Sequence, residues 1–423
     1  MGNFVQKLKV IVRDTSLRGR ILFVLGALVL FRLLAAIPIP GVDAAALQSF
    51  FSNNQFFGLL NIFSGGGLSN LSIVMLGVAP YITASIIMQL STILSPKLKA
   101  LYHEEGEAGR KKFTQYSRLL TIPLAVIQGY GLLTLLSRSG IIAEMTFAGM
   151  LENILIITAG SILLMWIGEL ISEFGIGNGV SIIIFAGIVA TLPGTVSQLV
   201  FAFDKAQIPL YVGFAAAAVF VVAAVVAMTE AERPIPITYA KKVRGGKTSG
   251  GIATYLPLRV NQAGVIPIIF ALSILLLPQM IVNFIAGSGS ESLRGVADAL
   301  TAFLNNGWFY ASFYFVLVFL FTYFYTAVTF EPDSIATNLQ KSGAFVPGVR
   351  PGAATAEYLG RVLTRITFVG ALFLGIIAVL PIAMQAITGI TALAIGGTAL
   401  LIVVSVVIDV IKKIDAQVSL REY

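Results

Sequence analysis

Long apolar stretches alternate with shorter polar ones along almost the whole chain. A helix needs about 20 mostly apolar residues to cross the hydrocarbon core of a membrane. Ten stretches approach or reach this length, and Gly or polar residues interrupt some of them. We predict one membrane-spanning helix in each, at residues 20–38, 73–95, 114–136, 150–172, 178–200, 208–229, 260–282, 308–329, 363–385 and 389–410. The expected fold is an all-α polytopic membrane protein with both termini on one side.

The composition excludes most classes of soluble protein. Hydrophobic residues make up 57% of the 423 residues and charged residues only 11%, against about 25% charged in a typical globular chain. A soluble fold would have too little polar surface to cover so much apolar area. Because the chain has no Cys, a disulfide, a zinc thiolate site and a thiol nucleophile are all excluded. The single His103 lies in a charged stretch and is expected to be a solvated loop residue.

The positions of the basic residues set the expected orientation. Most of the 28 Lys and Arg residues lie in the two terminal tails and in the connectors after spans two, six and eight. The connectors on the opposite side hold only Arg138, Lys205 and Arg294. Cytoplasmic loops of membrane proteins are enriched in Lys and Arg. We therefore expect a multi-pass membrane protein with both termini in the cytoplasm.

One moderately apolar segment, FFGLLNIFSGGGLSNLS at residues 56–72, does not fit the series of spans. Three consecutive Gly residues interrupt it, and at about 1.5 Å per residue it is too short for a core of about 30 Å. Irregular backbone at membrane depth is tolerated only where protein or a water-filled cavity surrounds it. Two interpretations stay open: an ordinary external loop, or a half-inserted segment that closes a cavity.

Two cytoplasmic connectors are long. Residues 231–257 carry alternating apolar and polar positions on both sides of GGKTSGG, a pattern typical of a β-hairpin. Residues 330–361 place Val349 and Arg350 between Pro and Gly residues, which predicts a rigid turn that presents one Arg. Long ordered loops are often functional. The alternative for both connectors is a solubilising loop that anchors to anionic lipid headgroups.

No motif for a nucleotide, metal or catalytic site is convincing. The GGKT at Gly245 lacks the earlier Gly of a phosphate-binding loop, and GIGNG at Gly175 differs from the dinucleotide fingerprint. Of the acids in or near span four, Glu152, Glu169 and Glu173, the last two share a helix face. Acids inside membranes usually mark ion or proton paths. They are the best argument for the alternative function, a secondary transporter with a midplane substrate site.

Five longer motifs occur in a fixed order along the chain. They are LLNIFSGGGLSNLSIVMLGVAPYITASIIMQL, GIGNGVSIIIFAGIVATLP, LPLRVNQAGVIPIIFA, GAFVPGVRPG and GGTALLIVVSVVIDVIKKIDAQ. Together they resemble the SecY family, the channel-forming subunits of the Sec protein translocon. The resemblance covers about residues 4–417, and its loop motifs favour the bacterial form.

The resemblance implies a fold and a function. The family fold has ten helices in two pseudo-symmetric halves of five, here residues 1–205 and 206–423, with a short half-inserted plug helix at about 59–72 and cytoplasmic loops at about 231–257 and 330–361. Unfolded polypeptides of the general secretory pathway pass between the halves, and hydrophobic segments leave into lipid through a lateral gate. Such a channel is not an enzyme, since a partner motor hydrolyses ATP, and no cofactor is implied.

The family's site residues are carried over by motif. The pore ring, an apolar constriction, comprises Val78, Ile82, Ile184, Ile188, Ile269 and Ile402. The plug includes Phe63, Ser64, Gly65, Gly66, Gly67 and Leu68. Polar residues in the gate spans are Thr83, Gln89, Gln128, Asn261 and Gln262, of which Thr83, Gln128 and Asn261 match the family's polar cluster. From the residues alone, the ring positions would be lipid-facing or packing residues and the polar ones helix-packing groups.

One ring position departs from the family pattern. Position 78 is Val where the family commonly has Ile, which implies a slightly looser seal. An apolar ring blocks ions because water leaves a narrow hydrophobic constriction. An ion or solute channel would instead need polar or carbonyl rings, which the matched positions lack.

The resemblance also implies partners. Arg350 matches the loop arginine that the SecA motor ATPase requires, and Lys241, Lys242 and Arg244 match the basic loop that docks on ribosomal RNA. Exposed Arg and Lys suit phosphates and acidic surfaces. The other implied partners are the small membrane subunits SecE and SecG, signal peptides and nascent chains, and membrane lipids.

Overall fold

The structure is a computed structural model. It describes residues 13–40, 64, 66–68, 70–138, 142, 146–201, 208–239, 242–244, 247–249, 253–286, 295, 306–388 and 391–419. Three of the predicted site residues, Phe63, Gly65 and Lys241, lie outside the described residues, as do the side chains of His103, Lys242 and Arg244.

The described part of the chain is mostly helical, and a helix lies in each predicted span. Before residue 206 these are α1 (Thr15–Ala35), α2 (Ala79–Leu94), α3 (Pro96–His103), α4 (Gly106–Arg138), α5 (Phe147–Phe174) and α6 (Gly179–Phe201). After it they are α7 (Ile208–Glu230), α8 (Ile266–Ala286), α9 (Gly307–Thr329), α10 (Pro332–Lys341), α11 (Ala353–Thr388) and α12 (Thr391–Ser419). Helices α3 and α10 are short and lie in connectors.

Strands occur in the two long connectors. They are β1 (Glu232–Tyr239), β2 (Lys242–Arg244), β3 (Lys247–Ser249), β4 (Ala253–Arg259) and β5 (Ala344–Phe345). Strand β1 pairs antiparallel with β4, from Glu232 opposite Arg259 to Thr238 opposite Ala253, and β2 pairs antiparallel with β3. The hairpin predicted for residues 231–257 is confirmed.

By length and composition, four helical stretches in the described residues can cross a membrane: Gly106–Ser137, Phe147–Phe174, Gly307–Lys341 (α9 together with α10) and Ala353–Met384. Shorter apolar helices lie at Ala79–Leu94, Gly179–Gly194, Ala215–Glu230 and Ile266–Leu275. The all-α membrane architecture is therefore present, and the count of ten crossings stays a prediction.

The chain folds into two compact units. The first comprises Met1–Phe214, Leu272–Tyr310 and Pro381–Tyr423, and the second comprises Ala215–Ala271 and Ala311–Leu380. The division into halves at residues 205 and 206 stays a prediction.

Two spans become helical later than the apolar pattern predicts. Span two was predicted from residue 73, but α2 begins at Ala79, and span seven was predicted from residue 260, but α8 begins at Ile266. In both cases a Gly with a left-handed backbone precedes the helix, Gly77 at φ 58° and Gly264 at φ 61°. This conformation breaks a helix and suits Gly. The apolar residues before each helix therefore lie in irregular, mostly buried backbone.

The GIGNG motif forms the tight turn between α5 and α6. A Cβ on Gly179 would overlap the carbonyl oxygen of Gly168, and one on Gly175 would lie 2.6 Å from a methyl group of Val24. The hydroxyl of Ser172 accepts a hydrogen bond from the Gly179 N–H at 2.8 Å and donates one to the Gly168 carbonyl at 3.0 Å. These glycines allow two helices and a turn to approach closely, which gives the motif a structural role.

Candidate functional site

In the first unit, residues 64, 66–68 and 70–78 form irregular and mostly buried backbone that leads into α2. Its later part pairs with the backbone that follows α1: the Ile39 N–H donates to the Leu71 carbonyl at 2.8 Å, and the Ile73 N–H donates to the Ile37 carbonyl at 3.0 Å. The Asn70 amide also donates to the Ala35 carbonyl at the end of α1, at 3.3 Å. The segment is therefore attached to the end of α1 by main-chain hydrogen bonds.

The earlier part of this segment contains the described members of the predicted plug, Ser64, Gly66, Gly67 and Leu68. Ser64 and Leu68 are buried, and the Ser64 hydroxyl accepts from the Leu68 N–H at 2.9 Å. A Cβ on Gly67 would lie 2.8 Å from the Ser72 hydroxyl and 3.0 Å from the Val74 carbonyl oxygen. The absence of a side chain thus allows this part to fold back on itself.

Gly66 lies between α1 and α6. Its φ is 83°, and a Cβ there would be 3.4 Å from the Arg32 guanidinium and 3.7 Å from the Thr191 methyl group. Sequence reasoning placed Arg32 inside span one but gave it no role, and it missed Asn70. A lone Arg in an apolar span is a signal that could have marked this place, since charges inside membranes are usually functional.

Helix α5 supports the same segment from another side. A Cβ on Gly160 would overlap the Ile73 carbonyl oxygen, and the Ser161 hydroxyl donates to the Gly77 carbonyl at 2.9 Å. The irregular backbone at residues 73–77 thus has protein hydrogen-bond partners at membrane depth, as such backbone requires.

The predicted pore-ring residues of the first unit are all buried. Val78 and Ile82 lie one helical turn apart at the start of α2, where the Ile82 N–H donates to the Val78 carbonyl at 3.0 Å. Ile184 and Ile188 are one turn apart on α6, and Ile402 lies on α12, a helix that packs against α6. Each of the five has at most 5% of its surface exposed. Ile269, on α8 in the second unit, is also buried.

The polar residues predicted for the gate have mixed surroundings. Thr83 and Gln128, in the first unit, are buried, and Gln89 is half-buried. The Thr83 hydroxyl donates to the Ala79 carbonyl of its own helix at 3.0 Å. The hydroxyl hydrogen of Thr83 is therefore bonded within α2 and is not available to a neighbouring helix.

In the second unit, Asn261 is buried and Gln262 is half-buried. The Asn261 side-chain oxygen has no hydrogen-bond partner among the described residues. A Cβ on Gly370 of α11 would lie 2.7 Å from the Val260 carbonyl oxygen. Close packing of α11 thus fixes the backbone beside Asn261. A buried acceptor without a hydrogen-bond partner lowers the stability of the fold by about 1–3 kcal/mol.

The two long connectors form one structure, which the sequence did not predict. Strand β5, from the second connector, pairs antiparallel with β1, placing Phe345 opposite Thr238 and Ala344 opposite Tyr239, and completes a sheet of order β4-β1-β5. A hydrophobic cluster joins this sheet to α11, and its buried members are Ile235, Leu258, Val346, Leu359, Val362 and Ile366.

The described partner-binding candidates lie in the two long connectors, Arg350 in the second and Lys242 and Arg244 on β2 in the first. Arg350 is exposed on a turn closed by the Val349 N–H and the Val346 carbonyl at 3.1 Å. Its own carbonyl accepts from the Thr355 hydroxyl at 2.9 Å, which fixes the turn to the start of α11. Arg350 has no ion-pair partner in the part of the chain that the structure describes. On the hairpin, Lys242 pairs with Ser249 and Arg244 with Lys247.

The acids of span four lie in different surroundings. The Glu169 carboxylate accepts from the Arg118 guanidinium at 2.7 Å, an ion pair that joins α5 to α4. Glu152 and Glu173 are exposed. Within the described residues no group of three His, Asp or Glu side chains is placed to hold a metal ion. Glu169 thus has a structural role in joining two helices, which weakens the main argument for a coupled transporter.

Solved structures define the class of this fold. The chain aligns with the structure of a protein-conducting channel at a TM-score of 0.66 and 18% identity, covering 96% of this chain and 94% of that one. It aligns with canine Sec61, solved in a ribosome–channel complex from the endoplasmic reticulum, at a TM-score of 0.62 and 17% identity, over 96% and 94% of the two chains. The fold is that of a protein-conducting channel, and the protein is a multi-pass membrane protein.

Sequence comparisons then define the family. A model of the SecY family matches residues 72–411. The protein translocase subunit SecY of Mycobacterium bovis is 41% identical over 432 residues, covering 97% of both chains. The same subunit of Streptomyces scabiei is 42% identical over 431 residues, with the same coverage. The chain belongs to the SecY family.

Proposed function

We propose that the chain forms the pore through which unfolded polypeptides cross the plasma (inner) membrane, and that it releases hydrophobic segments sideways into lipid. The chain is a channel subunit of a protein translocase, and it is not itself a catalyst. The observation that carries the detailed proposal is the mostly buried backbone at residues 64, 66–68 and 70–78. It runs into the buried apolar residues at the start of α2, where it would act as a stopper.

The predicted pore ring suits a channel for chains of any sequence. Its six members are aliphatic and buried. A narrow apolar constriction loses its water and so blocks ions. It also offers no charged or hydrogen-bonding group that would retain a particular side chain. Polypeptides can pass without being bound, while small ions remain excluded.

The plug and the gate would both contribute to keeping the channel closed. Residues 64–68 would fill the outer mouth of the ring, attached to the end of α1 through residues 70–73. The gate would be held by polar side chains, among them Gln128 and Asn261. Interhelical polar contacts in membranes are worth about 1 kcal/mol each. Such a closure would yield to a hydrophobic signal sequence that binds in its place.

The proposed orientation places both termini and the β-sheet layer in the cytoplasm, since this layer carries the basic connectors. Its proposed partners are the ribosome and the SecA motor, with SecE and SecG as small membrane subunits. The fold neighbour from the endoplasmic reticulum was solved in a ribosome–channel complex, which supports a ribosome contact here.

Reversing the charge of Arg350 should reduce motor-driven transport strongly. Arg350→Glu changes an exposed side chain on a turn whose backbone hydrogen bonds do not involve that side chain, so the fold should stay intact. Charge-assisted contacts to an acidic partner are worth about 1.5–3 kcal/mol, so we expect at least a tenfold lower rate. The measurement is ATP-dependent uptake of a secretory protein into vesicles that contain the purified complex.

Lys341→Glu is the matched control, because Lys341 is exposed in the same connector and undergoes the same charge change. It should leave uptake within about twofold of the parent, as isolated surface charges contribute about 0–1 kcal/mol. Equal rates for Arg350→Glu and the parent would contradict the proposed docking role.

Neutralising the hairpin should weaken ribosome binding. The change is Lys241→Gln with Lys242→Gln and Arg244→Gln, and sedimentation of ribosomes with proteoliposomes at several salt concentrations measures it. Each phosphate contact contributes about 0.7–0.9 to the slope of log affinity against log salt. We expect the slope to fall by about 2. An unchanged slope would favour the alternative that these residues contact lipid headgroups.

A further inference from the structure

The exposed face of α11 carries a feature that the channel mechanism does not use. Near the start of this helix, Glu357, Gly360, Arg361, Thr364 and Arg365 line an open surface depression of about 440 Å³. Both Arg side chains are exposed. They lie at the edge of the predicted span 363–385, the depth at which lipid phosphates are found.

An apolar stripe continues from this depression along the same helix face. Its members follow the Arg pair at helical spacing: Phe368, Val369, Leu372 and Ile376, each between 40% and 53% exposed. Side chains three and four residues apart lie on one side of a helix. The face therefore has two cations at one end and a continuous hydrocarbon surface below them.

Small residues of α11 lie on the side of the helix opposite the stripe, where the helix packs on protein. Gly370 packs on the Val260 carbonyl, and Ala371 and Ala378 are fully buried. Contacts between membrane helices are enriched in small residues. The exposed stripe has none, which is typical of a surface covered by acyl chains.

We propose that this face binds an anionic phospholipid, with its phosphate at Arg361 and Arg365 and an acyl chain along the apolar stripe. Two guanidinium groups match an anionic headgroup in charge. The Thr364 hydroxyl donates to the Gly360 carbonyl at 2.9 Å, so the phosphate contacts come from the two Arg side chains. Glu357 opposes binding, because its carboxylate lies 3.5 Å from Arg361 within the same depression.

Quenching by brominated lipids tests this site in the full chain, purified with the subunits that accompany it. The reporter is Val369→Trp, in a background where the two natural tryptophans carry Trp166→Phe and Trp308→Phe. Vesicles contain phosphatidylcholine and phosphatidylglycerol, with one or the other brominated. Each cationic residue near a membrane surface strengthens the binding of anionic lipid, and Glu357 cancels part of this effect. We expect the local preference for phosphatidylglycerol to be about fivefold.

The variants separate this site from general surface charge. Arg361→Gln with Arg365→Gln should lower the preference to about onefold, and Glu357→Gln should raise it above the parent value. The control, Arg233→Gln with Lys341→Gln, removes two exposed charges of the same unit and should keep the fivefold preference. Three results would overturn the proposal: no preference in the parent, a preference that survives loss of both Arg side chains, or no quenching by either lipid because a protein subunit covers the face.

Discussion

Replacing Gly179 by Ala is expected to destabilise the protein more than the same replacement at any other described glycine of the α5–α6 turn. The new Cβ would occupy the position of the Gly168 carbonyl oxygen and lie 2.9 Å from the Ile171 side chain. Neither atom belongs to the flexible end of a side chain. The turn would have to open, with loss of the two hydrogen bonds of Ser172. Overpacking of this kind costs about 3 kcal/mol, and the lost hydrogen bonds add to it.

The measurement is the amount of full-length chain in membranes, together with the thermal midpoint of the purified complex. Gly194→Ala is the matched control, since Gly194 is on the same helix and has no atom within 4 Å of the added Cβ. There the helix propensity of Ala should stabilise slightly, by about 1 kcal/mol or less. Similar midpoints for the two variants would show that the turn tolerates opening.

Placing an amide in the proposed pore ring should make the closed channel leak. Ile402 is fully buried on α12, and Ile402→Asn keeps a side chain of similar length while adding a donor and an acceptor. A polar group lets water occupy a constriction that was dry. We expect the ion conductance of planar bilayers containing the resting channel to rise at least about tenfold, which corresponds to a barrier lowered by about 1.4 kcal/mol.

The controls distinguish a wet constriction from a damaged fold. Ile411→Asn is the same substitution at an exposed position of the same helix, and it should not change the conductance. Ile402→Leu keeps the position apolar and should also remain closed. If Ile402→Asn reaches the membrane in normal amounts and conducts no more than the parent, position 402 does not belong to the ring.

The helices and the hairpin could be predicted from the sequence because their signals are local. Runs of apolar residues correctly predicted a helix in each span. The alternation of apolar and polar residues around GGKTSGG correctly predicted the antiparallel pair β1 and β4. The beginnings of α2 and α8 were wrong by about six residues. Apolar residues are equally suited to a helix and to irregular backbone that is buried in protein, so hydropathy does not distinguish the two.

Long-range contacts account for what the sequence could not show. Strand β5 has two residues, and its pairing with β1 depends on a partner about a hundred positions away. The GIGNG glycines have no apparent role until Gly168 is seen opposite Gly179. The hydrogen bond from the Thr83 hydroxyl to the Ala79 carbonyl was not predicted either. It depends on the geometry of the helix, and the residue type alone does not show which acceptor the hydroxyl uses. The roles of the ring, plug and gate residues stay predictions from the family resemblance.

The main-chain ladder between residues 37–39 and 71–73 limits how far the segment before it can travel. From Ser72, a chain back to Ser64 reaches about 28 Å even when fully extended. A displaced stopper would therefore behave as a tethered ligand, whose local concentration at its own binding place is in the millimolar range. In the proposed channel, resealing after each polypeptide has passed would therefore be a first-order event, independent of how many channels the membrane holds.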